Sequence, residues 1–171
     1  MNRLTITDLK EIINGRRSYS YSEQDIGKAL KSFNFLKSFS KNNLVYGVNT
    51  GFGPMADFKI NKEDQIKLQY NLIRSHSSGM GAVLPTKVVK LIMIIRLHTF
   101  LQGKSGVSQS LINTLSNYID NGIYPDIYEH GGVGASGDLV QLAHLALGII
   151  GEGKGVNNKD EKDHISKLIK E

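Results

Sequence analysis

Residues Gly131-Gly132-Val133-Gly134-Ala135-Ser136-Gly137-Asp138 gather small side chains, a hydroxyl and a carboxylate in one turn, directly ahead of the apolar helix pattern Leu139–Ile150. A backbone so free of side chains can fold onto itself and react. If the Gly137 amide nitrogen attacks the Ala135 carbonyl, a five-membered ring closes. Loss of two waters, one of them from Ser136, then leaves an exocyclic methylidene, a strong electrophile made only from protein. Glycine third in the triplet lets its nitrogen approach without a Cβ in the way.

Other chemistries fit the same residues less well. Gly132-x-Gly134-x-x-Gly137 matches the dinucleotide fingerprint, which needs a buried strand before it and an acidic residue after a second strand. The preceding Tyr124-Pro125-Asp126-Ile127-Tyr128-Glu129-His130 is proline-broken and charged, a poor central strand. A phosphate-binding P-loop would end in Gly-Lys-Ser/Thr, which is absent. A plain glycine-rich turn, with Asp138 capping the helix that begins at Leu139, stays open on these residues alone.

The elements that must hold this turn read as helices. Asp8–Asn14 is a short helix stopped by Gly15, and Ser22 with Asp25 forms a capping-box pattern ahead of Ile26, Leu30, Phe33 and Leu36. Lys41–Phe58 must hold a loop around Tyr46–Pro54. A helix resumes from about Lys62 to Ser77, and Pro85-Thr86 opens the next, whose Val88–Leu101 stretch is apolar on most faces and so expected to be buried. Gly103–Val107 is a turn, and Leu111, Leu115 and Ile119 mark another amphipathic helix ended by Asn121-Gly122. The expected fold class is mainly α, with two glycine-rich loops inserted, and such loops tend to carry function.

Composition narrows the classes. The 171 residues are 40% hydrophobic and 22% charged, enough for one domain with a sizeable core. With no cysteine, disulfides and thiol catalysis are excluded. The net charge of +5 comes from scattered lysines interleaved with Asp and Glu, so no nucleic-acid partner is expected. The most apolar run, Val88–Leu101, is too short to span a bilayer, and no membrane association is expected. Met1–Asp8 lacks a signal-peptide core, which makes cytoplasmic residence the default. The five histidines show no metal-ligand spacing, and no metal is expected.

Three further motifs precede the triplet in order. Tyr46-Gly47-Val48-Asn49-Thr50-Gly51-Phe52-Gly53, Asn71-Leu72-Ile73-Arg74-Ser75-His76 and Gly103-x-Ser105-Gly106-Val107 lead to Ala135-Ser136-Gly137-Asp138. Together they resemble the histidine, phenylalanine and tyrosine ammonia-lyases over roughly Leu4 to Gly153. In that family the cyclised triplet is the 4-methylidene-imidazol-5-one group (MIO). The resemblance implies the N-terminal helical domain of the lyase fold, without its long central bundle. It also implies elimination of ammonia from an L-aromatic amino acid. One departure is Leu139-Val140-Gln141-Leu142, where many histidine lyases carry Leu-Ala-Pro-Leu; with Glu129-His130-Gly131-Gly132 it looks like a branch that includes bacterial tyrosine lyases. The substrate is thus open between histidine, giving urocanate, and tyrosine, giving coumarate.

Carried over residue by residue, the resemblance makes Ala135, Ser136 and Gly137 the electrophile, with Asp138 polarising the cyclising backbone or capping the helix. Tyr46 would take a proton from the substrate β-carbon, against the alternative of a packed loop aromatic. A free phenol has a pKa of about 10, so the site must stabilise phenolate. Gly53 would bring backbone close to substrate, or simply make a turn. Ser75 and His76 would contact the polar end of the substrate side chain, leaving a phenylalanine ring disfavoured because their polar groups would go unpaired. His98 and His144 read as core or supporting residues.

The family enzyme is much longer, a homotetramer whose sites draw on several subunits. Lys154–Glu171 shows little of the expected continuation, so residues 1–153 are expected to form the MIO-bearing domain and 154–171 a divergent polar tail. The contrasting expectation is a truncated, catalytically silent fragment acting at most as a helical association partner.

Overall fold

Local capping chemistry sets most helix starts. The computed structural model describes residues 3–169. Helix α1 (Ile6–Ile13) begins two residues before the expected Asp8 because Thr5 caps it: the Asp8 amide donates to the Thr5 hydroxyl, and the Asp8 carboxylate accepts from the Thr5 N–H at 2.8 Å. Ser22 and Asp25 close the same reciprocal box at the head of α2 (Glu23–Phe39). After the long loop, Asn61 caps α3 (Lys62–His76), which is followed by the short strand β1 (Met80–Val83). Pro85 precedes α4 (Thr86–Leu101), and Ser108 caps α5 (Gln109–Asn121). Gly122 ends α5 in the left-handed conformation at φ 63°, which glycine adopts without a Cβ penalty.

The core lies where α4 meets α2 and α5. Val89, Met93, Ile94, Leu97 and Leu101 of α4 are buried, with Ile26 and Ala29 of α2 and Ile112, Leu115 and Tyr118 of α5. Only Val88, Ile95 and Thr99 form an open stripe along the apolar part of α4, so this helix is nearly surrounded, as its composition predicts.

Short strands carry the chain from this core to the glycine-rich turn. They are β2 (Tyr124–Pro125), β3 (Tyr128–His130), β4 (Val133–Gly134) and β5 (Gly137–Asp138), followed by helix α6 (Val140–Ile149). β3 pairs antiparallel with β1, so a segment just past α3 lies beside the entry to the turn. Tyr124–His130, a poor central strand by sequence, supplies only these short edge pairings.

The expected polar tail is instead part of the domain. Strands β6 (Lys154–Val156) and β7 (Lys162–His164) extend β2 into a three-stranded sheet, and α7 (Ile165–Leu168) follows. Val156, Ile165 and Leu168 are buried, the last two within the main apolar cluster. Three apolar residues spread among lysines and acids are enough to anchor a segment that reads as solvated. No helix of the described residues is long and apolar enough to cross a membrane.

Candidate active site

The triplet occupies the tip of a hairpin. Gly134 and Gly137 face each other across the β4–β5 ladder, leaving Ala135 and Ser136 as its two-residue loop. Gly137 sits at φ 82°, where an L side chain is strained, and a Cβ built there meets nothing within 4 Å. Its glycine is therefore required by backbone conformation, not by crowding. The turn is exposed, with Val133 82% accessible.

Asp138 secures the base of this hairpin. Its Oδ1 accepts the Val140 amide at 3.1 Å, so it serves the first turn of α6 although the helix starts at Val140, one residue later than expected. The same carboxylate covers Gly131 so closely that a Cβ there would lie 2.2 Å from Oδ1.

Facing the hairpin is the C-terminal turn of α3. Ser75, His76 and Ser78 line one side of a cleft of about 280 Å³, with Gly132, Gly134, Ala135, Ser136, Gly137, Leu139 and Val140 on the other. The His76 Nδ1 lies 2.9 Å from the Leu72 carbonyl oxygen and 3.1 Å from Ser75 Oγ. A carbonyl only accepts, so Nδ1 carries the proton, and in the neutral ring Nε2 keeps its lone pair as an acceptor. Ser75 Oγ donates to the same Leu72 carbonyl. Two larger cavities exist, about 450 Å³ beside Tyr19, Asp25 and His98 and about 760 Å³ beside Phe35 and Lys104. Neither contains a residue of the triplet or its opposing wall, so chemistry favours the smaller cleft.

Tyr46 and Gly53 form a second group on the 45–60 loop. The Gly53 amide donates to the Tyr46 hydroxyl at 3.3 Å, and the Tyr46 ring stands edge-on to Phe52 with centroids 5.8 Å apart. Tyr46 is 63% exposed and does not line the cleft. Buried Asn49 organises this loop: its amide donates to the Ser40 and Asn43 carbonyls and its oxygen accepts from the Val45 amide. Gln69 of α3 donates to the Gly47 carbonyl at 2.9 Å, tying the loop to the helix that carries Ser75 and His76.

His98 and His144 support packing. His98 bonds through Nδ1 to the Tyr19 hydroxyl at 3.2 Å, and burial lowers its pKa. His144 accepts the Gly79 amide on Nε2 at 3.0 Å. Sequence reasoning missed Gln69 and Ser78; a lone Gln or Ser carries no motif, and only the folded contacts reveal them. Among the described residues, no group of three or more His, Asp or Glu is placed to hold a metal ion.

Known proteins are similar to this chain. The family model described as aromatic amino acid lyase matches residues 4–167, so the match continues through the β6–β7 segment. A probable histidine ammonia-lyase of Thermoplasma volcanium is 50% identical over 124 residues, 72% of this chain and 25% of that protein. The histidine ammonia-lyase of Staphylococcus saprophyticus is 39% identical over 161 residues, 94% of this chain and 32% of its own length. The crystal structure of a tyrosine aminomutase from Streptomyces globisporus superposes with a TM-score of 0.86 at 32% identity, covering 98% of this chain and 31% of that one. The chain thus spans about a quarter to a third of the length of the relatives it matches. With four ordered motifs, a family match over nearly its whole length and the fold of solved relatives, the chain belongs to the aromatic amino acid lyases.

Proposed function

We propose that this chain is the N-terminal part of an ammonia-lyase that eliminates ammonia from L-histidine, giving urocanate, or from L-tyrosine, giving coumarate. The observation that carries this reading is the cleft that sets Ser75 and His76 opposite Ala135, Ser136 and Gly137. The turn fits MIO formation: Gly137 has no Cβ to obstruct its nitrogen, and Asp138 fixes the hairpin base to α6. Ring closure would exchange the Gly134–Gly137 pairing for the new bond between the Gly137 nitrogen and the Ala135 carbonyl carbon. Once formed, MIO supplies an electrophile for the substrate amine.

The chain's own side chains divide the rest of the work. Tyr46 takes the proton from the substrate β-carbon once the assembled enzyme brings its loop to the cleft, from which it stands apart in this chain. His76 Nε2 accepts from a substrate donor, either a phenol O–H or an imidazole N–H. Phenylalanine offers no such donor and leaves that acceptor unpaired. The larger part of the relatives' length outside this match would supply the remaining pocket walls, in a cytoplasmic homotetramer. A second reading, a catalytically silent chain acting at most as a helical association partner, is favoured in its silence by the open exposure of the triplet hairpin.

Intact mass spectrometry of the purified chain tests the proposal. A deficit of two waters, abolished by Ser136→Ala, supports it. The full unmodified mass would leave the second reading for this chain.

A further inference from the structure

Besides the β1–β3 pairing, the two walls of the cleft are joined through one buried side chain. His144 lies in the middle of α6, 8% exposed, and its Nε2 accepts the Gly79 N–H at 3.0 Å. Gly79 follows Ser78, which lines the cleft, and stands three positions beyond His76. At the other end of His144's helix, α6 emerges directly from the hairpin that carries the triplet. We infer that His144 is a positioning residue: by accepting the Gly79 amide it fixes the Ser75–Ser78 wall against the Ala135–Gly137 turn. What that wall contacts rests on the lyase reading above; the tie itself does not.

The local fit leaves little freedom. A Cβ added at Gly79 would lie 2.9 Å from His144 Nε2 and 2.9 Å from Tyr128 Cβ, so this backbone approaches the ring as only glycine permits. The Tyr128 ring packs at 5.0 Å from the imidazole and holds it from the β3 side. Two other side-chain ties lie nearby. Arg74 and Glu152 pair through two hydrogen bonds, and Gln141 reaches the Glu129 carbonyl at 3.5 Å, but these partners are exposed to water. Of the three, the His144 bond is the most shielded and the one that ties the backbone just past Ser78 to α6.

A backbone N–H can only donate, so Nε2 must be unprotonated to receive it. Protonating the ring puts a proton on that nitrogen and breaks the tie. The groups around the ring are Asp126, Tyr128, Glu152 and Lys154, with Arg74 behind Glu152 on α3 and the Tyr118 hydroxyl from α5 bonded to the Gly148 carbonyl. Burial lowers the His144 pKa more than Asp126 raises it, which keeps the accepting form at neutral pH.

The test uses the 171-residue chain labelled for NMR, read at the Gly79 amide and the His76 ring. In the unaltered protein the Gly79 amide shift should titrate with the same midpoint as the His144 ring, below the ordinary histidine value. His144→Leu should speed Gly79 amide exchange by about tenfold, the loss expected for one shielded hydrogen bond, and displace the His76 ring signals. His144→Gln offers an acceptor near the Nε2 position and should restore both. A Gly79 amide blind to the His144 titration, or equal exchange in all three proteins, overturns the assignment, and the titration arm needs no variant to fold. Intact mass on the same samples separates the two readings. An unmodified mass with a titrating Gly79 amide removes the lyase chemistry and leaves the tie standing; a two-water deficit with a silent Gly79 amide removes the tie alone.

Discussion

Replacing Gly137 by alanine separates the chemistry of the turn from the stability of the domain. At φ 82° an L residue costs about 1–2 kcal/mol relative to glycine, a factor of roughly five to thirty in the population of the native turn. Nothing lies within 4 Å of the new Cβ, so no packing clash adds to that cost. Nor does the hairpin contribute to the core: Val133, Gly134, Ala135, Ser136 and Gly137 are all exposed, and the buried cluster begins again only beyond them. The penalty therefore stays local. Gly137→Ala should melt within about a degree of the unaltered chain while its two-water deficit, if the unaltered chain shows one, forms at least several-fold more slowly or not at all. Calorimetry and timed intact-mass measurements on the same preparation give both numbers. A fall in melting temperature of many degrees, or a dehydration rate equal to that of glycine, would refute the reasoning that this glycine serves backbone geometry at an independent turn.

Other perturbations probe the frame behind the turn. Tyr118 is buried, its hydroxyl donates to the Gly148 carbonyl at 2.9 Å, and burial pushes its pKa up to about 12. That carbonyl also receives the Gly151 amide, so Tyr118→Phe orphans nothing and should cost only about 0.5–1.5 kcal/mol by denaturant titration; 3 kcal/mol or more would contradict the assigned bonding. Gly155→Ala would place a Cβ 2.4 Å from Ile165 Cδ1 and 2.6 Å from the Tyr124 carbonyl oxygen, and should cost about 1–3 kcal/mol; a neutral result would mean that β6 and α7 do not pack as described. Tyr46→Phe, at an exposed position, should change stability by less than about 0.5 kcal/mol and leave the mass deficit intact, since Tyr46 is assigned to proton transfer and not to ring closure. Burial lowers the pKa of both His98 and His144, so the unfolded chain binds more protons than the folded one in the window just below the ordinary histidine value. Their contribution is complete above about pH 6.5 and is lost as pH falls through the depressed values, so unfolding free energy should decrease from about pH 7 to pH 5. At more acid pH a second loss follows, as Asp25, held low by Lys28 and Ser22, takes up its proton. A flat profile between those two pH values would contradict the histidine burial.

The parts of this molecule that were legible in the sequence are those governed by near neighbours. Ser22 and Asp25, Pro85-Thr86 and Gly122 act within one helical turn, and each marks a boundary where the structure has one. Thr5 was equally local, but the capping box it makes with an aspartate was overlooked, which moved the start of α1. The β1–β3 pairing and the burial of Ile165 and Leu168 depend on contacts across long stretches of chain, and nothing in Met80–Val83 or Lys154–Glu171 signals them. At the site, the motifs indicated Ser75, His76 and the triplet, and the fold sets them across one cleft. Tyr46 and Gly53 bond to each other apart from that cleft. Glycines were visible as glycines, yet their reasons differ: Gly137 meets a backbone angle, whereas Gly79 and Gly155 yield space to His144 and Ile165.

The β1–β3 pair also sets an order of events in time. The cleft's two walls lie about sixty residues apart in the chain, and the intervening α4 and α5 must form and turn back before β3 can reach β1. Closing so long a loop is a late step in folding, because its entropy is repaid only when the distant contacts are made. The turn can acquire a fixed opposing wall only after that closure. Any dehydration that depends on the assembled cleft must therefore trail the recovery of helical signal on refolding, and the interval between them would measure the docking of α3 against α6.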